Sequence, residues 1–176
     1  MMLQVEKWKE YSIKIAGIVR ESIVDGPGIR FTIFCQGCPH NCQGCHNPET
    51  HDFQGGYDCS LETLLNEIDK DPLLSGVTFS GGEPMCQAES FLMLAKEIKK
   101  RKLDIVIFSG YTFEELENMC KEDVAVKELL DLTDFLIDGK FDKDKKDLTL
   151  KFRGSSNQRV IDMNLTRKSG QITLSE

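Results

Sequence analysis

The sequence predicts an α/β fold: a parallel sheet with crossover helices that closes only part-way into an open-sided (β/α) barrel. Three observations lead there. Short β-rich runs alternate with segments of helical period from residue 29 to residue 138, the pattern that gives parallel strands with right-handed crossovers. The stretches richest in cysteine, glycine and polar residues each follow directly on one of those runs, and parallel α/β folds build their sites at that end of the strands. The chain has 176 residues, too few for the roughly 250 of a complete eight-unit barrel. Its length reads as one domain over residues 1–176.

Residues 1–11 are polar, without a period, and are expected to be a variable leader. Ile13, Ile15, Ile18 and Val19 mark a first strand that ends at Arg20-Glu21-Ser22, and Asp25-Gly26-Pro27-Gly28 is a strong turn signal. Residues 29–34 form a β-rich run that enters a cysteine loop at once. Residues 47–58 are polar and glycine-rich and read as a loop. Ser60 is suited to cap a helix that carries Leu61, Leu64, Leu65 and Ile68 on one face, and Asp71-Pro72 stops it. Residues 76–80 are the next strand, ending in Gly81-Gly82-Glu83-Pro84. Ala88, Phe91, Leu92, Ala95 and Ile98 share a helical face closed by Lys99-Lys100-Arg101-Lys102, whose cations oppose the negative end of the helix dipole.

Residues 104–108 are a further strand, ending in Ser109-Gly110-Tyr111. Thr112-Phe113-Glu114-Glu115 fits a capping box and opens a helix with Leu116 and Met119 inward. Val126, Leu129 and Leu130 mark another short helix, and residues 135–137 a strand that ends in Asp138-Gly139-Lys140. Residues 142–147 alternate in sign and read as a solvated loop. Leu148, Leu150 and Phe152 alternate like a strand before the polar loop Arg153-Gly154-Ser155-Ser156-Asn157-Gln158. The polar tail, residues 164–176, is expected to be disordered.

Composition bounds the function. Hydrophobic residues at 40% and charged ones at 29% suit a globular chain that buries its own core. A net charge of −7 argues against direct nucleic-acid binding, which needs a basic footprint. No apolar run approaches the roughly 20 residues of a membrane span, and the N-terminus has no apolar stretch of the signal-peptide kind. The seven cysteines are an odd set, three or four of them crowded into one loop, which points to a reducing cytoplasm rather than a secreted disulfide framework.

That loop, Cys38-Pro39-His40-Asn41-Cys42-Gln43-Gly44-Cys45, has the spacing Cys-x3-Cys-x2-Cys. Thiolates are soft donors suited to iron–sulfur clusters or zinc. A cubane [4Fe–4S] cluster wants four ligands, so three leave one iron open, and an open position is where a metal centre does chemistry. Cys35-x2-Cys38 with Cys42-x2-Cys45 also makes two Cys-x2-Cys pairs, the pattern of a compact zinc site in a non-catalytic interaction module. Against zinc, Cys35 closes a β-rich run where a buried cysteine is ordinary, and the downstream motifs would go unexplained. Cys35 is read as core, and Cys59, Cys86 and Cys120 as packing.

The cysteine run followed by Gly81-Gly82-Glu83-Pro84 resembles the radical S-adenosylmethionine (SAM) family. Asp25-Gly26-Pro27-Gly28-Ile29-Arg30, Cys45-His46-Asn47-Pro48, Ser109-Gly110-Tyr111, Asp138-Gly139-Lys140-Phe141 and the Arg153 to Gln158 segment resemble, in this order, its glycyl-radical activases. The resemblance implies a partial barrel of the radical SAM type, with a [4Fe–4S] cluster on Cys38, Cys42 and Cys45. It implies that SAM chelates the open iron and is cleaved by one electron to a 5′-deoxyadenosyl radical. SAM contacts would then lie at Gly44, Cys45, His46, Gly81, Gly82 and Glu83. The glycines at 81 and 82 would let backbone approach the methionyl end, Glu83 would accept from its ammonium directly or indirectly, and Gly44 and His46 would offer backbone to the adenine. Many family members carry an aromatic residue where Gly44 stands, so side-chain stacking from that position is lost. No side chain beyond these ligands is expected to be catalytic.

The implied partner is the catalytic subunit of anaerobic ribonucleoside-triphosphate reductase, and the implied electron donor a flavodoxin or ferredoxin. Activases of pyruvate formate-lyase share the early motifs but are usually longer. The short chain and the Arg153 to Gln158 segment favour the reductase. An open-sided barrel suits a macromolecular substrate that offers one residue.

Overall fold

A computed structural model describes residues 6–175. It contains a seven-stranded sheet in the order β3-β1-β2-β4-β5-β6-β7. The strands are β1 (Ser12–Ser22), β2 (Arg30–Cys35), β3 (Tyr57–Ser60), β4 (Gly76–Gly81), β5 (Asp104–Phe108), β6 (Phe135–Asp138) and β7 (Arg159–Asp162). The helices are α1 (Leu61–Asp69), α2 (Ala88–Lys100), α3 (Phe113–Met119), α4 (Val124–Leu132) and α5 (Met163–Ser169).

The sheet is mixed, which corrects the expectation of a wholly parallel one. β2, β4, β5 and β6 are parallel, whereas β1 runs antiparallel to β2, β3 to β1 and β7 to β6. Connection length is the reason. Only a short turn with Gly26 and Gly28 at positive φ joins β1 to β2, and parallel neighbours need a crossover of a dozen or more residues. The segment between β6 and β7 is long but contains no crossover α-helix, so the chain returns antiparallel from the end it left. β3 begins inside the stretch read as a loop. Its Tyr57 and Asp58 are exposed at the sheet edge, so it carries no alternation to detect.

Register builds the core. Phe31, Val77 and Ile105 form one row across the parallel strands, and Ile33, Phe79, Ile107 and Leu136 the next. All seven are fully buried. Leu64 and Leu65 of α1, Phe91 and Leu94 of α2, Leu116 of α3 and Leu129 of α4 belong to the same cluster. Phe79 and Phe91 meet with ring centroids 4.5 Å apart. Cys35 lies in this core, completely buried. Burial pushes its thiol well above the ordinary range.

The alternate residues face the other way. Phe34, Ser80, Phe108 and Ile137 line a cavity at the C-terminal ends of the parallel strands. Below them the Asp25-Gly26-Pro27-Gly28-Ile29-Arg30 segment closes the sheet face. Arg30, 0% exposed, donates to Thr78 Oγ1 (2.7 Å), Pro27 O (2.8 Å) and Val77 O (3.1 Å) and pairs with Asp104. Thr78 Oγ1 donates to Asp25 O at 2.8 Å. A Cβ at Gly26 would stand 2.8 Å from Arg30 Cδ, so this turn packs tightly over the guanidinium. The sequence suggested a connector here, and long-range hydrogen bonds make it a floor.

Two further expectations are corrected. Residues 164–175 of the tail are structured: Asp162 caps α5 by accepting from Leu165 N–H at 2.9 Å, Gly170 ends it in the left-handed conformation, and Leu174 bridges back to Ile161. Only Met163 and Thr166 of α5 are buried, and Arg167 donates to the carbonyls of Leu130 and Thr133, each at 3.0 Å. Polar contacts of that kind leave no hydrophobic period. The alternation of Leu148, Leu150 and Phe152 forms no strand; Phe152 has φ 62° in a run of turns and bends. Of the expected leader, residues 1–5 lie outside the described residues, and Lys7–Glu10 is a 3-10 turn from which Trp8 packs on the core. No described helix is long and apolar enough to cross a membrane.

Candidate functional site

The cysteine loop leaves β2 under tight backbone control. Gly37 N–H donates to Thr50 O at 2.7 Å and Cys38 N–H to His51 O at 3.2 Å, while Gln36 Nε2 donates to Glu49 O and Asp52 O. From β4, Gly82 N–H donates to Cys35 O and Glu83 N–H to Gly37 O, both at 2.8 Å. A Cβ on Gly82 would lie 2.3 Å from Gly37 O, and one on Gly81 2.5 Å from Cys35 N. The two glycines are therefore required where the turn after β4 crosses the start of the cysteine loop. Both also line the cavity.

Cys38, Cys42 and Cys45 are half-buried, unpaired and on the wall of one cavity of about 950 Å³. Burial pushes the Cys38 and Cys42 thiols up, opposed by the His40 and Phe141 backbone N–H groups. Asn47 N–H donates to Cys45 Sγ at 3.4 Å. Metal must displace the protons that raised thiols hold near neutral pH. Among the described residues, no three Cys, His, Asp or Glu side chains converge on a point where one metal ion would sit. Zinc needs four donors about 2.0–2.3 Å from a single centre. Thiolates also hold iron–sulfur clusters, and these three cysteines line one cavity.

Of the other expected contacts, Cys45, His46, Gly81 and Gly82 line the cavity. Gly44 is not among the lining residues: it is exposed, and a Cβ there would stand 3.4 Å from Phe141 Cε1 and 3.6 Å from Lys143 Cβ. Glu83 is not among them either. It is 0% exposed, and its carboxylate accepts from His40, Ser109, Gly110 and Met85. Three of those partners, His40, Ser109 and Gly110, themselves line the cavity, so Glu83 stands one side chain away from it.

Phe141 went unassigned in the sequence and is central in the structure. It lines the cavity and packs on His46 with ring centroids 5.1 Å apart. A Cβ on Gly154 would stand 3.0 Å from Phe141 Cδ2 and 3.2 Å from His46 Cε1, so Gly154 makes room for both rings. The Arg153 to Gln158 segment ties this strap down. Gln158 Oε1 accepts from Gly154 and Ser155 N–H, its Nε2 donates to Gly139 O at 3.0 Å, and Asn157 Nδ2 donates to Lys140 O at 2.8 Å. Arg159 holds Asp138 by two bonds, and Asp138 accepts Phe113 N–H at 2.8 Å, which fixes the turn after β6. Nothing periodic announced these roles; the one signal was a dense run of small polar residues.

A family model for a 4Fe-4S single cluster domain matches residues 24–161, from the sheet floor to β7. The anaerobic ribonucleoside-triphosphate reductase-activating protein of Pasteurella multocida is 37% identical over 145 residues, covering 77% of this chain and 89% of that protein. This chain belongs to the anaerobic ribonucleoside-triphosphate reductase-activating protein family. The activating protein of Vibrio cholerae is 36% identical over 144 residues (77% of this chain, 89% of that protein). That of Escherichia coli K12 is 35% identical over 146 residues (78% and 91%). Among solved structures, QueE from Escherichia coli aligns with a TM-score of 0.48 at 20% identity, over 61% of this chain and 57% of that one. The 4Fe-4S match takes in every cysteine that lines the cavity of this activating-protein family member.

Proposed function

We propose that this protein is a radical SAM activase that generates a glycyl radical on the catalytic subunit of anaerobic ribonucleoside-triphosphate reductase. The observation that carries the reading is the convergence of Cys38, Cys42 and Cys45 with Gly81 and Gly82 on one cavity at the C-terminal end of the parallel strands. A [4Fe–4S] cluster held by three thiolates, with SAM on its open iron, supplies a carbon-centred radical able to take the hydrogen of a glycine Cα. The chain supplies place and surroundings. Cys38, Cys42 and Cys45 hold the cluster, the backbone at Gly81 and Gly82 meets the methionyl end of SAM, and Cys45 and His46 offer backbone to the adenine.

Phe141 provides the aromatic face that position 44 lacks. Phe34, Phe108 and Ile137 keep the interior apolar and exclude water from a reactive radical. Glu83 acts through the lining residues it bonds, His40, Ser109 and Gly110, the indirect route to SAM. We read the sheet as the partial barrel of the radical SAM type, open where Ile23 and Val24, both well exposed, line the cavity. A reductase segment bearing the glycine would enter there. A reduced flavodoxin or ferredoxin in the cytoplasm is the fitting electron source, and seven unpaired thiols suit a reducing compartment. The acidic chain, at −7, is not suited to nucleic acid.

The test is anaerobic reconstitution with iron and sulfide, reduction, and addition of SAM with the reductase catalytic subunit. The expected products are 5′-deoxyadenosine and a glycyl-radical electron paramagnetic resonance signal, both absent in Cys42→Ala. Protein that takes up zinc but no iron or sulfide would overturn the reading. A radical on pyruvate formate-lyase in preference to the reductase would replace the partner and keep the chemistry.

A further inference from the structure

Three stretches of the chain meet at the Glu83 carboxylate. Oε1 of the buried Glu83 accepts from His40 Nε2 at 2.6 Å, Gly110 N–H at 2.9 Å and Ser109 Oγ at 2.9 Å, while Oε2 accepts from Met85 N–H at 3.0 Å. Two backbone amides donate to this carboxylate, and the short contact to His40 Nε2 ties the imidazole to the same group. His40 stands midway between Cys38 and Cys42, yet its side chain is 5% exposed. The ring sits on Gly110, where a Cβ would come within 2.3 Å of His40 Cδ2. Its edge meets Tyr111, with ring centroids 4.5 Å apart and planes at 78°. A loop histidine that merely shed its polarity to solvent would need neither a buried carboxylate nor a missing Cβ beside it.

We propose that His40 is a positioning residue for the cluster: its bond to Glu83 locks the 38–42 span onto the turns after β4 and β5. The cysteine thiols and the Gly81-Gly82 backbone are thereby held in one frame, since Glu83 follows Gly82 directly and its own N–H is bonded to Gly37 O at 2.8 Å. This rests on the reading that Cys38, Cys42 and Cys45 carry the cluster. Groups that orient metal ligands from outside the coordination sphere typically govern metal retention by one to two orders of magnitude.

The experiment compares His40→Gln with His40→Asn in reconstituted protein. Gln carries its amide N–H near the position of Nε2 and reaches Glu83; Asn is of similar polarity but too short. The first readout is the rate of cluster loss to an iron chelator under anaerobic conditions. The second is the change that SAM produces in the electron paramagnetic resonance spectrum of the reduced cluster. His40→Gln should stay within about twofold of wild type and keep the SAM-induced change. His40→Asn should lose its cluster about tenfold faster or more, with a broadened or absent SAM response. Thermal unfolding of the metal-free variants, matched between Gln and Asn, separates positioning from stability. Equal cluster loss in the two variants would overturn the proposal. Wild-type protein that takes up no iron or sulfide would instead overturn the cluster reading, before any variant is compared.

Discussion

Gly82 and Cys35 show how much a single residue carries where backbones cross. The place a Cβ would take at Gly82 is 2.3 Å from a carbonyl oxygen, not from a pliable side chain, so Gly82→Ala must move either the turn after β4 or the cysteine loop. We expect it to destabilise the metal-free protein by about 1–3 kcal/mol, the usual cost of overpacking, and to lower cluster occupancy; an unchanged melting temperature would refute this. Cys35 and Cys42 give opposite outcomes. Cys35→Ala removes a buried core atom and should cost about 1 kcal/mol in chemical denaturation while sparing iron content. Cys42→Ala should melt like wild type and hold no [4Fe–4S] cluster, as read from iron, sulfide and visible absorbance.

At the scale of elements, the segment between β6 and β7 and the bottom of β6 are the informative places. Phe141 is held over the cavity by the Gln158 and Asn157 hydrogen bonds, so Phe141→Ala should leave the fold and cluster intact. SAM affinity should fall about tenfold, the scale of one lost aromatic stack on a base, and equilibrium binding to the reconstituted protein checks it.

Asp134, just before β6, joins three elements by accepting from Ile105 N–H (2.8 Å), Lys99 Nζ (2.7 Å) and Asn164 Nδ2 (2.9 Å). Burial alone would raise its carboxyl, but Lys99, Asn164 and the Ile105 amide together hold it below the ordinary range. A carboxyl lowered in the folded state contributes stability that is complete above its unfolded value, about 3.9, and is lost as the pH falls through its folded value. Denaturant midpoints measured between about pH 5 and pH 2 should therefore fall less steeply for Asp134→Asn than for wild type. The variant should also be less stable at pH 7, by about 1–3 kcal/mol.

Over the whole molecule, core and site lie on opposite faces of one sheet. The rows led by Phe31 and Ile33 are buried under helices, whereas the cysteines hang on a loop at the strand ends. A zinc-finger domain unfolds without its metal because the metal supplies the folding free energy. Here the core does not need it. Removing iron and sulfide by chelation should leave far-ultraviolet circular dichroism unchanged and unfolding cooperative; collapse of secondary structure would contradict that division.

The helices α1 to α4 and the four parallel strands were legible because each signal is local. Leu61, Leu64, Leu65 and Ile68 recur at the helical period, Thr112 and Glu115 form the expected capping box, and the thiols that line the cavity stand within one short loop. Spacing along the chain is enough for such features, since neighbours in sequence are neighbours in space. The antiparallel flanks, the floor around Arg30, the placing of Phe141 and the bond from His40 to Glu83 were not legible. That bond joins residues 43 apart, and the ladder from β1 to β3 rests on edge residues that bury little. Polar contacts across such separations repeat with no period. Sequence by itself determined which residues can form the elements and which can bind metal. Only tertiary structure decided which glycines are steric necessities and that Glu83 is buried against His40, Ser109 and Gly110, because those outcomes depend on where distant backbones cross.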